Sequence, residues 1–222
     1  MKYFITLLLF FIVSSSLFSQ TKIVTWNVHM VINAKNKKQR AIAINKILID
    51  SKADVVLIQE AFGKPVCNIL SKGFKYRILP NKKFGKVNSG LLVLSNSPLT
   101  NIQYLNYKHK KGIDALSNKG AVKFRTAGMN MINTHLQNHH HNITENQIIE
   151  LYNFSSSSDV IAGDFNYTDI SYLSILFQKN IIETDCTFDN EVIDYVITNK
   201  KIRSQVMKTD LSDHNAIISI ID

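Results

Sequence analysis

Short, continuous apolar runs recur along this chain, and they constrain its fold more than any other feature. The clearest is Val55–Ile58, in which four branched apolar residues follow one another. Such a run is typical of a strand that is buried on both faces. Comparable strand-like runs occupy residues 23–26, 91–94, 121–134, 159–162, 192–197 and 215–221.

Two further segments, residues 40–49 and 146–154, have the apolar spacing of amphipathic helices. Many short buried strands with few helices between them predict packed sheets flanked by helices, an α/β or α+β sandwich. No segment rich in Pro, Gly or Ser separates the runs, and the sequence has no internal repeat. We therefore predict one domain over residues 20–222.

The N-terminal segment has the composition of a targeting sequence. Lys2 is its only charged residue, an apolar run extends over Phe4–Val13, and three serines follow. Because a membrane-spanning helix needs about 20 apolar residues, this shorter run favours a signal peptide over residues 1–19. We predict a secreted or periplasmic protein, with an uncleaved N-terminal anchor as the alternative.

Charge and cysteine content narrow the partners and the chemistry. Removing Lys2 from the 26 basic residues leaves 25 against 17 acidic ones, a net charge of +8. This balance favours polyanionic partners, either nucleic acid or an anionic membrane surface. Cys67 and Cys186 are the only cysteines. Their pairing is left open, and without a CxxC motif a cysteine-based metal site or nucleophile is not expected.

Polar residues that can bind a metal or a phosphate end or interrupt many of the apolar runs. Taken singly, Asn27, Asp164 and Asp213 could be turn or cap residues, because Asp and Asn favour turns. Strands that end along one rim of a sheet would nevertheless bring the whole set into one pocket, and together they predict an active site. The set comprises Asn27, Glu60, His135, Asp164, Asn166, Asp194, Asp213 and His214.

Several members of this set could hold a metal ion. Mg²⁺ prefers oxygen ligands and neutralises phosphoryl oxygens, which makes it suited to phosphodiester hydrolysis. Glu60 and either Asp164 or Asp213 offer carboxylate oxygens, and Asn27 offers an amide oxygen. No Cys or Met is directly adjacent to any of them in the sequence, which argues against a soft metal.

A histidine held by a carboxylate is the usual general base for such a reaction. His214 has Asp213 beside it and Asp194 available from the preceding strand. His135 is better suited to donating a hydrogen bond to a phosphoryl oxygen. The remaining histidines, His29, His109 and His139–His141, are weaker candidates.

Six motifs, taken in order, resemble the endonuclease/exonuclease/phosphatase superfamily, which includes deoxyribonucleases, abasic-site endonucleases, inositol phosphatases and neutral sphingomyelinases. They extend over nearly all of the chain after residue 20. The resemblance implies an α/β fold, a four-layered sandwich of two face-to-face β-sheets flanked by helices. The motifs are Thr25–Val28, Leu57–Glu60, Asn133–Leu136, Gly163–Asn166, Ile193–Tyr195 and Ser212–Asn215.

The resemblance also implies Mg²⁺ as the cofactor. Glu60 would bind the ion with help from Asn27. Asp213 would support the neighbouring base or hold a second ion. Whether one or two ions act is left open.

Each remaining motif residue receives a catalytic role from the resemblance. His214 would accept a proton from the attacking water, and Asp194 would orient its ring. Asp164 and Asn166 would position the nucleophile, and His135 would contact the phosphoryl group.

Within the superfamily, the sequence most resembles the neutral sphingomyelinases. The segment from Asp114 to Lys119 is the most specific part of this resemblance, and it implies that Asn118 and Lys119 contact the substrate phosphate. A simple turn at 118–120 is the alternative. The segments that carry the resemblance are Gln59–Phe62, Ser89–Ser95, Asp114–Gly120 and Thr134–Gln137.

The function implied is a secreted, monomeric, Mg²⁺-dependent phosphodiesterase that hydrolyses a phospholipid head-group ester at a membrane surface, as a sphingomyelinase or phospholipase C does. The alternatives are a secreted deoxyribonuclease-like endonuclease or another phosphatase of this fold, and a catalytically inactive binding module.

The sequence contains no hairpin rich in Trp or Phe that could enter a bilayer, and Trp26 is its only tryptophan. We consider a shallower interfacial patch, with an ordinary exposed loop as the alternative. The patch would comprise Tyr104, Tyr107, Lys108, Lys110 and Lys111.

Overall fold

The computed structural model describes residues 20–81, 87–112, 117–138, 140–182 and 184–222. The signal peptide expected at 1–19 lies outside these ranges, as do Asp114 and His139. No helix within the described ranges is both long enough and apolar enough to cross a membrane.

The described residues form twelve strands and four helices. The elements are β1 (Thr21–Asn27), α1 (Lys37–Asp50), β2 (Val55–Gln59), α2 (Lys64–Leu70), β3 (Tyr76–Ile78), β4 (Leu92–Ser95), β5 (Thr100–Asn106), β6 (Gly120–Thr126), β7 (Met129–His135), α3 (His141–Phe154), β8 (Val160–Asp164), α4 (Ile170–Phe177), β9 (Asn180–Ile181), β10 (Asp194–Thr198), β11 (Ile202–Met207) and β12 (Ala216–Ile221).

These strands form two six-stranded sheets. The first has the order β11-β12-β1-β2-β4-β3, and the second has the order β5-β6-β7-β8-β10-β9. The pairs β1/β2 and β7/β8 are parallel, and the other neighbouring pairs are antiparallel.

Alternate residues of the central strands face opposite layers, as the two-residue period of a strand requires. In β2, Val55 and Leu57 pack between the two sheets, whereas Val56 and Ile58 pack against α1 and α2. Helices α3 and α4 cover the outer face of the second sheet in the same way. This order of helix, sheet, sheet and helix confirms the predicted four-layered α/β sandwich.

The strand register brings polar residues of each sheet to a common edge. Asn27 lies opposite Gln59 where parallel β1 and β2 end, and His135 lies opposite Asp164 where parallel β7 and β8 end. Antiparallel β10 starts at the same edge, because Asp194 lies opposite Asp164. The strand ends therefore gather as the sequence predicts, and we call this edge the rim.

Several elements differ from the sequence-based expectation. Helices α1 and α3 begin at Lys37 and His141, earlier than expected, because their first residues are polar and add nothing to the apolar pattern. The run 121–134 is two strands joined at Ala127–Gly128, where both residues have positive φ (47° and 76°), as a tight hairpin turn requires. Strands β5 and β11 were not expected because neither contains a buried residue or a continuous apolar run. Helices α2 and α4 are too short to display a clear period.

The two cysteines are free thiols. Cys67 is buried in α2, where its Sγ donates to the carbonyl of Ala61, whereas Cys186 is exposed. Burial raises the pKa of the Cys67 thiol to about 11, so the thiol stays protonated at neutral pH.

A buried amide pair connects the two sheets just below the rim. Gln59 Nε2 donates to Asn133 Oδ1 at 2.7 Å, and both side chains are fully buried. Asn133 Nδ2 donates in turn to the carbonyls of Ile58 (3.0 Å) and Leu92 (3.3 Å). This polar connection fixes the register of one sheet against the other.

We expect Asn133→Ala to lower the free energy of unfolding by roughly 2–4 kcal/mol, because it removes three buried hydrogen bonds, one accepted from Gln59 and two donated to main-chain carbonyls. Guanidinium unfolding followed by circular dichroism measures the change. Asn130→Ala, at a partly exposed position of the same strand, is the matched control and should cost no more than about 0.5 kcal/mol. Equal losses in the two variants would contradict the importance of the amide pair.

Candidate active site

A pocket of about 150 Å³ opens at the rim. It contains every predicted catalytic and metal-binding residue except Asp194, which lies buried behind it. A larger cavity of about 440 Å³ beside Tyr195 is lined by only one acidic residue, Glu191, and by no histidine, so the chemistry belongs to the smaller pocket. The pocket is lined by Asn27, His29, Val31, Glu60, Lys119, His135, Asn138, Asp164, Asn166, Phe188, Asp213 and His214.

Asp164 occupies the junction of the two sheets. Its Oδ2 accepts a hydrogen bond from Asn27 Nδ2 at 2.9 Å and lies 3.3 Å from His135 Nε2 and 3.9 Å from His214 Nε2. Burial alone would raise the pKa of this carboxyl group. The charges of His135, His214 and Lys119 outweigh that effect and hold the pKa well below its usual range. Asp164 is therefore an anion at neutral pH.

Asp194 and His214 form a buried dyad. His214 Nδ1 lies 2.8 Å from Asp194 Oδ2, which fixes the ring and directs Nε2 towards Asp164. Burial alone would lower the pKa of His214. The adjacent Asp194 carboxylate, with weaker contributions from Asp164 and Asp213, raises it to about 9 instead. The dyad has the geometry expected of an oriented general base.

Three residues that our sequence analysis gave no role hold this dyad in place. Trp26 Nε1 donates to the carbonyl of His214 at 2.9 Å, and Thr187 Oγ1 accepts the backbone N–H of Asp194 at 3.2 Å. The ring of Phe188 packs against the imidazole of His214, with 4.6 Å between ring centroids. No sequence signal marks Thr187 or Phe188, because both lie in a short segment outside the apolar runs.

Lys119 and His135 lie side by side in one wall of the pocket. Lys119 Nζ lies 3.1 Å from His135 Nε2 and donates to the carbonyl of Leu136 at 3.0 Å. The same carbonyl accepts from Asn166 Nδ2 at 3.1 Å, and the Asn166 backbone N–H donates to Asp164 Oδ1 at 2.9 Å. This wall can receive an anionic group through charge-assisted hydrogen bonds.

Glu60 presents a carboxylate to the same pocket. It directly follows β2, with a left-handed backbone (φ 56°). A Cβ atom at Gly90 would lie 3.1 Å from Glu60 Cα, so a glycine is needed where this turn packs closely. The Glu60 side chain is 18% exposed, and its nearest ionic neighbour among the described residues is His135 Nε2 at 3.9 Å.

The donor set fits a divalent cation. The carboxylate of Glu60 and the amide of Asn27 line the pocket and supply oxygens, which hard cations prefer. Asp164, Asp194 and His214 also present possible ligand atoms within 4.8 Å of one another. Two of those three residues are already joined as the dyad, so the side with Glu60 and Asn27 fits a hard ion better.

Two of the predicted site residues, Asp213 and Asn118, do not present a free ligand atom to the pocket. Asp213 lines the pocket, but its Oδ2 pairs with His29 Nδ1 at 3.0 Å and its Oδ1 accepts from Ser212 Oγ at 3.2 Å. Asn118 is buried outside the pocket lining, and its Nδ2 has no hydrogen-bond partner within the described part of the chain. Their roles as metal ligand and phosphate contact stay predictions. His29, a weaker candidate from sequence, reaches the pocket through a left-handed turn (φ 46°).

The raised pKa of His214 predicts how the stability of the metal-free protein changes with pH. Because the folded-state pKa (about 9) exceeds the ordinary value of 6.5, protonated His214 stabilises the fold fully below pH 6.5. This contribution should disappear as the pH rises through about 9. Urea unfolding in chelator should therefore show a stability difference between wild type and His214→Gln that shrinks between pH 6 and about 9.5. A difference that stays constant or grows with pH would refute the charge pairing of the dyad.

Comparisons with known proteins agree with this geometry. The sequence profile of the Endonuclease/Exonuclease/phosphatase family matches residues 24–214. A candidate neutral sphingomyelinase of Drosophila melanogaster is 25% identical over 218 residues, an alignment that spans 81% of this chain and 47% of that protein. The chain thus spans about half the length of this relative.

Solved structures share the fold. A mutant of beta toxin from Staphylococcus aureus, with bound magnesium ions, superimposes with a TM-score of 0.79 at 20% identity, covering 90% of this chain and 99% of that one. Sphingomyelinase C from Streptomyces griseocarneus gives a TM-score of 0.78 at 16% identity, covering 92% and 100%. The predicted family and fold are confirmed, and the chain belongs to the Endonuclease/Exonuclease/phosphatase family.

Proposed function

We propose that this chain is a Mg²⁺-dependent phosphodiesterase that cleaves the head-group ester of a phospholipid, as sphingomyelinases do. The observation that carries the proposal is the meeting of an oriented imidazole, a buried anion and an open carboxylate in one small pocket. We also propose that it acts outside the cytoplasm as a monomer, which the signal-peptide pattern of residues 1–19 supports for the location.

The metal would be held by Glu60 and Asn27, with Asp213 as a further ligand. When bound, Mg²⁺ supplies positive charge that stabilises the phosphoryl oxygens as the ester bond breaks. Asp213 would have to exchange its contact with His29 for the ion, because its Oδ2 is 3.0 Å from His29 Nδ1.

The remaining residues would bind the substrate and move the proton. His214 Nε2 accepts a proton from the attacking water while Asp194 fixes the ring through Nδ1. Asp164 and Asn166 orient that water, and His135 donates to a phosphoryl oxygen. The imidazolium form of His214 is disfavoured when a divalent cation shares the pocket, which favours the neutral base.

The substrate class follows from how the pocket would meet phosphate. Lys119 is a single buried cation in the lining, which matches a ligand that presents one phosphate at a time. A nuclease needs many basic side chains that follow a row of phosphates, and its affinity falls steeply with salt. The alternative of a secreted nuclease is favoured by one observation, the strongly positive net charge of the chain, +9 before processing.

Removal of the metal should abolish activity. We expect hydrolysis of any phosphodiester substrate to stop in excess chelator and to return on addition of Mg²⁺. Glu60→Gln should lower kcat by about 10²-fold or more, the scale of losing one well-placed electrostatic group. Asn138→Ala, which removes another lining side chain without a proposed role in metal binding, is the control and should lose much less. Full activity in chelator would disprove the metal dependence.

Loss of the pocket cation should separate lipid from nucleic acid substrates. We expect Lys119→Met to slow phosphocholine release from sphingomyelin mixed micelles by about 10-fold or more, the value of about one charge-assisted contact. Lys108→Met, at an exposed position, is the charge-matched control and should change the rate by less than about 2-fold. The same proteins are tested for nicking of supercoiled plasmid at equal Mg²⁺. Rapid nicking without head-group release, unaffected by Lys119→Met, would favour the nuclease.

A further inference from the structure

The loop between β1 and α1, residues 28–36, exposes a large apolar side chain beside the active site. Ile32 is 79% exposed, more than any other large apolar residue in the described part of the chain. Its neighbour Val31 lines the active-site pocket together with Glu60 and His214. Ile32 therefore lies at the mouth of the pocket.

The base of this loop is firmly anchored. Val28 and Met30 are buried, and their backbone N–H groups donate to the carbonyls of Gln59 (3.1 Å) and Glu60 (3.2 Å). Arg40 of α1 donates to the carbonyls of Val28 (2.8 Å) and His29 (3.2 Å). The exposed tip therefore follows a segment of the loop that is held by hydrogen bonds to Gln59 and Glu60 on one side and to Arg40 on the other.

The tip itself is held in shape by a lysine. Lys37 Nζ donates to the carbonyls of Val31 (3.2 Å) and Ile32 (3.0 Å), and the N–H of Ala34 closes a turn onto the Val31 carbonyl (3.1 Å). An apolar side chain that is held outward in this way loses little conformational entropy on insertion into another phase.

Basic side chains follow the tip along the chain. Lys35 and Lys38 are exposed on either side of Lys37, and the first turn of α1 contains no acidic residue. An apolar tip with basic flanks matches the boundary between head groups and acyl chains of an anionic membrane. An aliphatic tip gains nothing from a row of nucleic acid phosphates, which Lys and Arg contacts recognise.

The patch that we considered from sequence is not a surface of this kind. Tyr107 is buried, and its hydroxyl group contacts Thr134 Oγ1. The hypothesis is therefore wrong for Tyr107, which lies in the core. Tyr104 is the one aromatic residue of the patch that is exposed.

We propose that the loop of residues 28–36 docks the protein on a lipid bilayer, with Ile32 inserted among the lipids and Lys35 and Lys38 on anionic head groups. This inference rests on the proposed function, because docking through residues 28–36 would place the mouth of the pocket over the head-group esters that the enzyme is proposed to cleave. Docking itself requires no catalysis and can be measured separately.

The test compares two isoleucines of equal exposure. Ile32→Asp changes the tip, whereas Ile175→Asp changes a 77% exposed position on helix α4. Cosedimentation with vesicles of about four parts phosphatidylcholine to one part phosphatidylserine, in chelator, measures binding. We expect Ile32→Asp to weaken vesicle binding about 10-fold or more and Ile175→Asp to change it less than about 2-fold. Ile32→Leu should bind as wild type does.

Hydrolysis of a water-soluble phosphodiester is the internal reference, and Ile32→Asp should leave it unchanged. If the Ile32→Asp and Ile175→Asp variants bind vesicles equally well and lipid cleavage continues, the docking surface is overturned. The proposed function would then still stand. Vesicle binding that depends on Ile32, without cleavage of any phosphodiester, would support the surface and refute the proposed function. Reduced plasmid binding with unchanged vesicle binding would assign the loop to nucleic acid and overturn the proposal.

Discussion

The hydrogen bond from Asn27 to Asp164 is the contact on which the active site depends, because it joins the first sheet to the second at the rim. Asn27 ends β1 and Asp164 ends β8, and their side chains meet at 2.9 Å. The buried pair of Gln59 and Asn133 fixes the sheets directly below. Groups from both sheets can share one pocket only while these two contacts hold the rim in register.

The sequence predicted the elements and residues whose local pattern records their environment. Strand β2 was recognised because all of its residues are buried, and Glu60 was recognised because it directly follows that strand. The pairing of Asp194 with His214 was also expected, and the structure places their side chains 2.8 Å apart. In each of these cases, the apolar run and the polar residue beside it stand together in the chain.

Features that depend on distant segments could not be predicted in this way. Phe188 reaches His214 only because a turn in a polar segment folds over the rim, and no period in the sequence records that contact. Asn118 and Lys119 are neighbours in sequence, yet only Lys119 lines the pocket. Strand β5 was not predicted because its residues are mostly exposed, and only its pairing with β6 identifies it as a strand.

Three of the residues that line the pocket have a left-handed backbone. Glu60, Asn166 and His29 all line the pocket with φ between 46° and 56°, a region that residues with side chains seldom occupy. Such conformations persist only when surrounding contacts impose them, and each costs on the order of 1–3 kcal/mol. Glycine at one of these positions would relieve the strain but would remove a side chain that lines the pocket, so stability and function oppose each other here.

The pairing of β1 with β12 has a consequence for when the pocket assembles. Thr21 lies opposite Ile221, and the indole of Trp26 binds the carbonyl of His214 across 188 residues of sequence. A fold dominated by such distant contacts has a high contact order and forms slowly. A chain that leaves the ribosome or a translocation pore with its N-terminus first cannot complete the pocket until its final strand emerges. The order of synthesis therefore delays the assembly of the pocket until β12 has emerged.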